Sequence, residues 1–206
     1  MKNRFYLRSM ITLLLVFFIS PLCFAVMSPA TQFQGIANRM ISQLESNKSQ
    51  LHKMSVIRRI VNQILLPNVD LDRMSASVVG RAWQTATAAQ KAQFKKEFSY
   101  LVTTTYAAAL SSYNDDRVVF RPLRAGYESA QTTRVNSEII RKNGQHIQIT
   151  YDVTRSGNQW KVYDFSIEHV SMVQSYRSQF ANVLAQGGMP ALLARIKSHN
   201  RSGASN

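Results

Sequence analysis

The chain has 206 residues, with 25 Lys and Arg against 11 Asp and Glu, and a single cysteine. That length buries a core without covalent staples, and one cysteine excludes a disulfide scaffold. The formal net charge of +14 points to an anionic partner, whose kind depends on where the chain resides.

At the amino terminus Lys2, Arg4 and Arg8 precede an apolar run from Met10 to Ile19, then Ser20, Pro21 and Cys23-Phe24-Ala25. This is the charged, apolar and small-residue order of a secretory signal over residues 1–25, with cleavage predicted after Ala25. About ten apolar residues fall short of the roughly 20 that span a bilayer. Bulky Leu22, where lipoprotein processing wants a small residue, argues against acylation of Cys23. Cleavage removes the cysteine and three bases, so 22 Lys and Arg face 11 Asp and Glu at a net +11. An exported protein of that charge meets anionic membrane rather than nucleic acid. The charges are scattered, so a merely solvated basic surface remains the alternative.

The remaining residues read as one domain over 26–198 with no linker. Ser28-Pro29 opens a helix through Phe33, Ile36, Met40 and Leu44, ending near Glu45. A second periodicity, Val56 to Leu65, stops at Pro67. Asp70 caps a short helix carrying Leu71, Met74, Val78 and Val79, closed by Gly80. Thr87 and Gln90 form a capping box ahead of the longest helix, whose apolar face runs from Phe94 to Leu110.

Beyond Asp116 the period changes to two. Val118–Leu123, Thr133–Arg141, His146–Thr154 and Trp160–Ile167 read as strands, joined by turns at Asn143-Gly144 and Ser156-Gly157-Asn158. Ser171 caps another helix with Val173, Tyr176 and Phe180 on one face. Gly187-Gly188 ends it, a short helix covers Ala191 to Ile196, and residues 199–206 form a disordered tail. The prediction is an α+β protein, with helices packed on a curved four-stranded antiparallel sheet around an apolar pocket.

Catalytic machinery is not visible. His52, His146, His169 and His199 lack metal-ligand spacing, and neither a phosphate loop nor a nucleophile elbow is present. Asp152, Asp164 and Tyr163, on neighbouring strands, are the nearest approach to an acid and base pair.

Two motif blocks carry a resemblance. Asp70-Leu71-Asp72-Arg73-Met74, Gly80-Arg81-Ala82-Trp83, Thr87 to Phe98 and Tyr106-Ala107-Ala108-Ala109-Leu110 resemble the MlaC, or toluene-tolerance, family. Val162-Tyr163-Asp164, Ile167-Glu168, Val170-Ser171 and Tyr176-Arg177-Ser178-Gln179-Phe180 continue it in the same order. The family commonly has glycine where this chain has His169, and proline where it has Ala88. The resemblance implies a periplasmic, non-enzymatic carrier, without a cofactor and acting as a monomer, that moves phospholipid between an outer-membrane lipoprotein complex and an inner-membrane ABC-type transport complex.

For such a carrier, periodicity nominates as pocket wall Met74 and Val78, then Phe98, Leu101, Val102 and Tyr106 of the long helix. The sheet adds Val135, Ile139, Ile149, Tyr151 and Phe165, and the closing helix Val173 and Phe180. Arg81, Arg134 and Arg141 are candidates to meet the head-group phosphate. The alternatives are an enzyme with a cone-shaped pocket, using Asp152 or Asp164, and an envelope adaptor without a ligand.

Overall fold

The computed structural model describes residues 27–123 and 125–202, so the predicted signal segment lies outside the described residues. Helix α1 (Pro29–Ser46) starts at the proline, and α2 (Met54–Ile60) passes into a π-helical turn (Val61–Leu65) and a 3-10 turn (Leu66–Asn68). Asp70 caps α3 (Leu71–Val79) by accepting from the Arg73 amide at 3.0 Å, and Gly80 closes it at φ 60°. A five-residue helix, α4 (Arg81–Thr85), follows. The capping box of α5 (Ala88–Ser111) forms as read, with Gln90 accepting from the Thr87 amide at 2.9 Å and Thr87 from the Gln90 amide at 3.2 Å.

Five strands make one antiparallel sheet in chain order: β1 (Arg117–Phe120), β2 (Thr132–Ile140), β3 (His146–Ser156), β4 (Gln159–Ile167) and β5 (Val170–Ser171). The fifth, absent from the sequence reading, is two residues long, too short to show a period. A turn with Glu168 at φ 46° and His169 at φ 68° delivers it. Helix α6 (Met172–Ser202) kinks at Gly188, where φ is 59°.

The disordered tail predicted over 199–206 is corrected in its first part, because α6 runs to Ser202. Asn200 is buried and donates through Nδ2 to the Glu97 carbonyl at 3.0 Å and to Glu97 Oε2 at 2.8 Å. An amide anchor of this kind leaves no mark on apolar periodicity.

Alternation divides the sheet cleanly. Val135 faces Tyr151, which faces Phe165; Ser137 faces Ile149, which faces Ile167; Ile139 lies between Val118 and Ile147. Directly opposed residues share a face, so this face is apolar, while Arg134, Asp152, Asp164, Asn136, Thr150 and Ser166 share the other.

The sheet curls around α1. Gln32 donates to the Trp160 carbonyl at 2.8 Å and accepts from the Trp160 amide at 2.9 Å. Gln34 donates to the Val118 carbonyl at 3.0 Å and accepts from the Phe120 amide at 3.2 Å. Two glutamines two residues apart therefore close backbone groups on the outer sides of both β1 and β4. Those strands are separated by β2 and β3, so their outer edges meet one helix only if the sheet is strongly rolled. Between the glutamines, Phe33 stacks on Phe120 and Tyr151 at 6.4 and 6.1 Å, which makes the apolar face the concave one.

Candidate functional site

The nominated wall residues fall into two environments. Met74, Val78, Phe98, Leu101, Val173 and Phe180 are all buried in one cluster formed by α3, α5 and α6. There Phe98 lies 5.1 Å from Tyr176 and 6.2 Å from Phe180, with Phe94 stacked on it at 5.2 Å. These side chains bury their area against one another, as filled core does.

The second environment is the concave sheet face and what borders it. Burial along this face is graded. Val135, Ser137, Val153 and Val162 are buried, whereas Ile139, Ile147, Ile149 and Ile167 are half-buried. Tyr151 and Phe165 lie between, with Tyr106 of α5 edge-on to Phe165 at 5.5 Å. Val102 of α5 packs, part-buried, against the α3–α5–α6 cluster. Ile64 and Leu65 of the π turn touch both the α1–α2 cluster and the sheet cluster, and Phe165 touches the sheet cluster and the α3–α5–α6 cluster. Three packed cores thus meet along one apolar surface that is not fully covered.

Sequence reasoning left Ile64, Leu65, Phe33 and Ile167 out of the wall. Ile167 follows from the strand alternation already in hand. The others required knowing that α1 and the π turn lie against the sheet.

Local chemistry keeps this surface neutral. Ser137 donates to the Tyr151 hydroxyl at 3.3 Å, and burial pushes the Tyr151 pKa up. Burial also raises Tyr106, assisted by Tyr176 and Asp164, and raises Tyr176, whose hydroxyl shares a 2.9 Å hydrogen bond with Thr105 Oγ1. Desolvation disfavours each phenolate, so Tyr151 and Tyr106 offer uncharged surface at neutral pH and Tyr176 stays neutral in the core behind them.

The three arginines separate. Arg134 lies on the opposite sheet face, with its Nε 2.9 Å from Asp152 Oδ1. Arg81 opens α4 and is exposed. Arg141 has the parity of Val135, Ser137 and Ile139, and its amide extends the ladder by donating to Gln145 at 2.9 Å. It therefore stands at the half-buried end of the apolar face. The alternation that separates Arg134 from Arg141 is written in the sequence of β2.

Asp152, Asp164 and Tyr163 border one recess, each held by a structural partner. Asp164 accepts from Ser171 Oγ at 2.6 Å and from the Val173 amide at 3.1 Å, which ties the start of α6 to β4. Tyr163 lies under the Arg73 guanidinium at 3.7 Å. A recess of about 290 Å³ lies here, lined by Ser77, Asp152, Tyr163, Asp164, Val173, Gln174 and Arg177. Another of about 270 Å³ lies between α1 and β1, lined by residues that include Ile41, Glu45, Tyr113, Asp115, Asp116 and Val118. Both linings carry carboxylates, so neither recess suits acyl chains, and apolar chains fit the graded sheet face better.

Among the described residues, no helix is long and apolar enough to cross a membrane. The family model described as MlaC protein matches residues 34–198. The chain is 29% identical over 189 residues to the intermembrane phospholipid transport system binding protein MlaC of Haemophilus influenzae, covering 89% of this chain and 87% of that one. It is 26% identical to the toluene tolerance protein ttg2D of Pseudomonas putida, over 80% of this chain and 76% of that one. The fold matches a phospholipid-binding protein from Ralstonia solanacearum, solved in complex with a phospholipid, with a TM-score of 0.81 and 26% identity. That match covers 86% of this chain and 99% of the other. With the family match spanning most of the chain, and the rolled sheet and helices shared with a solved relative, this chain belongs to the MlaC protein family.

Proposed function

We propose that this chain is a periplasmic phospholipid carrier, which takes lipid from a complex at one membrane and delivers it to a complex at the other. The observation that carries this reading is the shared fold with a protein that holds a phospholipid. In this chain, the apolar surface available for such a ligand is the concave sheet face, with Ile139, Ile149, Tyr151 and Phe165 of the nominated wall and Tyr106 of α5 edge-on to Phe165. The membrane complexes that receive and supply the lipid are inferred from the family, as is the compartment.

The physical task is large. Carrying two acyl chains through water exposes about thirty methylenes at roughly 0.8 kcal/mol each, near 25 kcal/mol in all. An apolar surface that the protein folds over the chains replaces the bilayer. Its affinity must stay close to that of a membrane, because a carrier that wins decisively at pick-up does not release at delivery. On this reading the chain performs no covalent step. Asp164 serves as a cap and Asp152 as an ion-pair partner, structural roles that fit a binding protein.

The test is extraction of the purified, signal-free protein with organic solvent, followed by mass spectrometry. Diacyl phospholipid in near-stoichiometric amount is expected. Lipid-free preparations that also take up nothing from phospholipid vesicles would overturn the reading.

A further inference from the structure

Arg141 has an unusual environment for an arginine. Its Nε is shielded from solvent and has no hydrogen-bond partner. Arg155, the other arginine with such a buried nitrogen, uses its Nη2 on the Tyr127 and Glu128 carbonyls and lies over the Trp160 ring. Asp115 pairs with Lys48 at 3.4 Å and Lys142 at 3.2 Å, Glu138 of the opposite sheet face lies 3.1 Å from His146, and Asp116, one step beyond the Arg117–Ile140 pair, makes no ion pair with Arg141. A partly desolvated guanidinium without an anion is an incomplete site, because the water it lost has not been replaced.

Position supplies the second observation. Arg141 follows Ile139 on the concave parity and pairs with Gln145 at the β2–β3 hairpin, where the ladder ends. The apolar face is buried at Val135 and Val153 and half-buried at Ile139 and Ile147, so its open end is the hairpin end. An acyl chain lying on this face with its tail toward Val135 leaves its polar end at Arg141.

From these two observations, and resting on the carrier reading above, we infer that Arg141 binds the phosphodiester of the lipid at the mouth of the apolar face and makes the carrier selective for phosphate-bearing diacyl lipids. The planar guanidinium matches two phosphate oxygens at once, a geometry that a lysine ammonium does not reproduce. Recognition stops at the phosphodiester, common to phospholipids of different head groups, so discrimination falls between phospholipid and neutral diacylglycerol.

The experiment offers delipidated protein mixed vesicles containing dioleoyl phosphatidylglycerol and dioleoylglycerol, which share their acyl chains, and measures the ratio of bound lipids by mass spectrometry. Wild type is expected to prefer the phospholipid by about tenfold to a hundredfold, the range of a charge-assisted hydrogen bond or pair. Arg141→Gln, melting as wild type does, should take both lipids about equally, and Arg141→Lys should fall between. Should Arg141→Gln fail to fold, Arg141→Lys carries the test through its reduced preference. Unchanged preference in the variant that folds, or no preference in wild type, overturns the role of Arg141. Uptake of neither lipid by wild type instead overturns the carrier reading itself.

Discussion

Tyr113 stands where α5 gives way to β1, buried, with its hydroxyl donating to Glu45 Oε1 of α1 at 2.9 Å. Burial, then the bond to Glu45, pushes its pKa up to about 12 from an ordinary 10.0. The folded state therefore retains a proton that the unfolded chain releases near pH 10. The stability this contributes is complete below pH 10, declines between 10 and 12, and is absent above. Denaturant titrations at stepped alkaline pH should show that decline in wild type and a shallower one in Tyr113→Phe. His169 is the other informative residue, with φ at 68° beside Glu168 at 46°. A side chain in this region costs about 1 kcal/mol, so His169→Gly should raise the melting temperature by roughly 2–4 °C in a chain of this size. The glycine common at this position in the family suits that geometry.

At the scale of elements, α1 performs a task that its amphipathic pattern does not announce. Its apolar residues Phe33, Ile36, Met40 and Leu44 were legible as a core stripe, and all are buried. Gln32 and Gln34, off that stripe, each make a two-bond amide pair with strand backbone. Removing one leaves a backbone amide and a carbonyl in a part-buried edge without partners. Gln32→Ala and Gln34→Ala should each lower unfolding stability by about 1–3 kcal/mol in urea titration. The double variant should self-associate on size-exclusion chromatography, since the outer edge of β1 is then uncovered and that of β4 keeps only β5 and the Val69 bridge. Strand positions and caps were readable because they depend on neighbours in sequence. The pairing of glutamines with strands 84 to 128 residues away depends on the roll of the sheet, which no local pattern encodes.

For the whole molecule, the decisive division lies between apolar residues that are core and those that form a candidate ligand surface. Phe98 and Ile149 both enter the sequence reading as wall residues. Phe98 is fully buried among aromatic rings, whereas Ile149 is half-buried on the graded face. Phe98→Ala should cost about 3–5 kcal/mol of stability and so reduce lipid only through unfolding. Ile149→Asp should keep a cooperative thermal transition while losing co-purified lipid, because it places a charge where acyl chains would lie. Lipid retained in full by folded Ile149→Asp would move the ligand off this face.

Composition, periodicity and capping residues determined by themselves that the protein is α+β, that its strands follow its first helices, and which motif blocks place it in the family. These are properties of adjacent residues, decided by side-chain period, backbone conformation and short-range hydrogen bonds. Tertiary structure alone decided that the sheet rolls around α1, that Phe98 packs among the rings of α5 and α6 while Ile149 is half-buried, and that Arg134 pairs with Asp152 on the far sheet face while Arg141 shares the parity of Ile139. Burial is a property of what lies opposite a side chain, and an isoleucine on a strand carries the same pattern whether a helix or a lipid faces it.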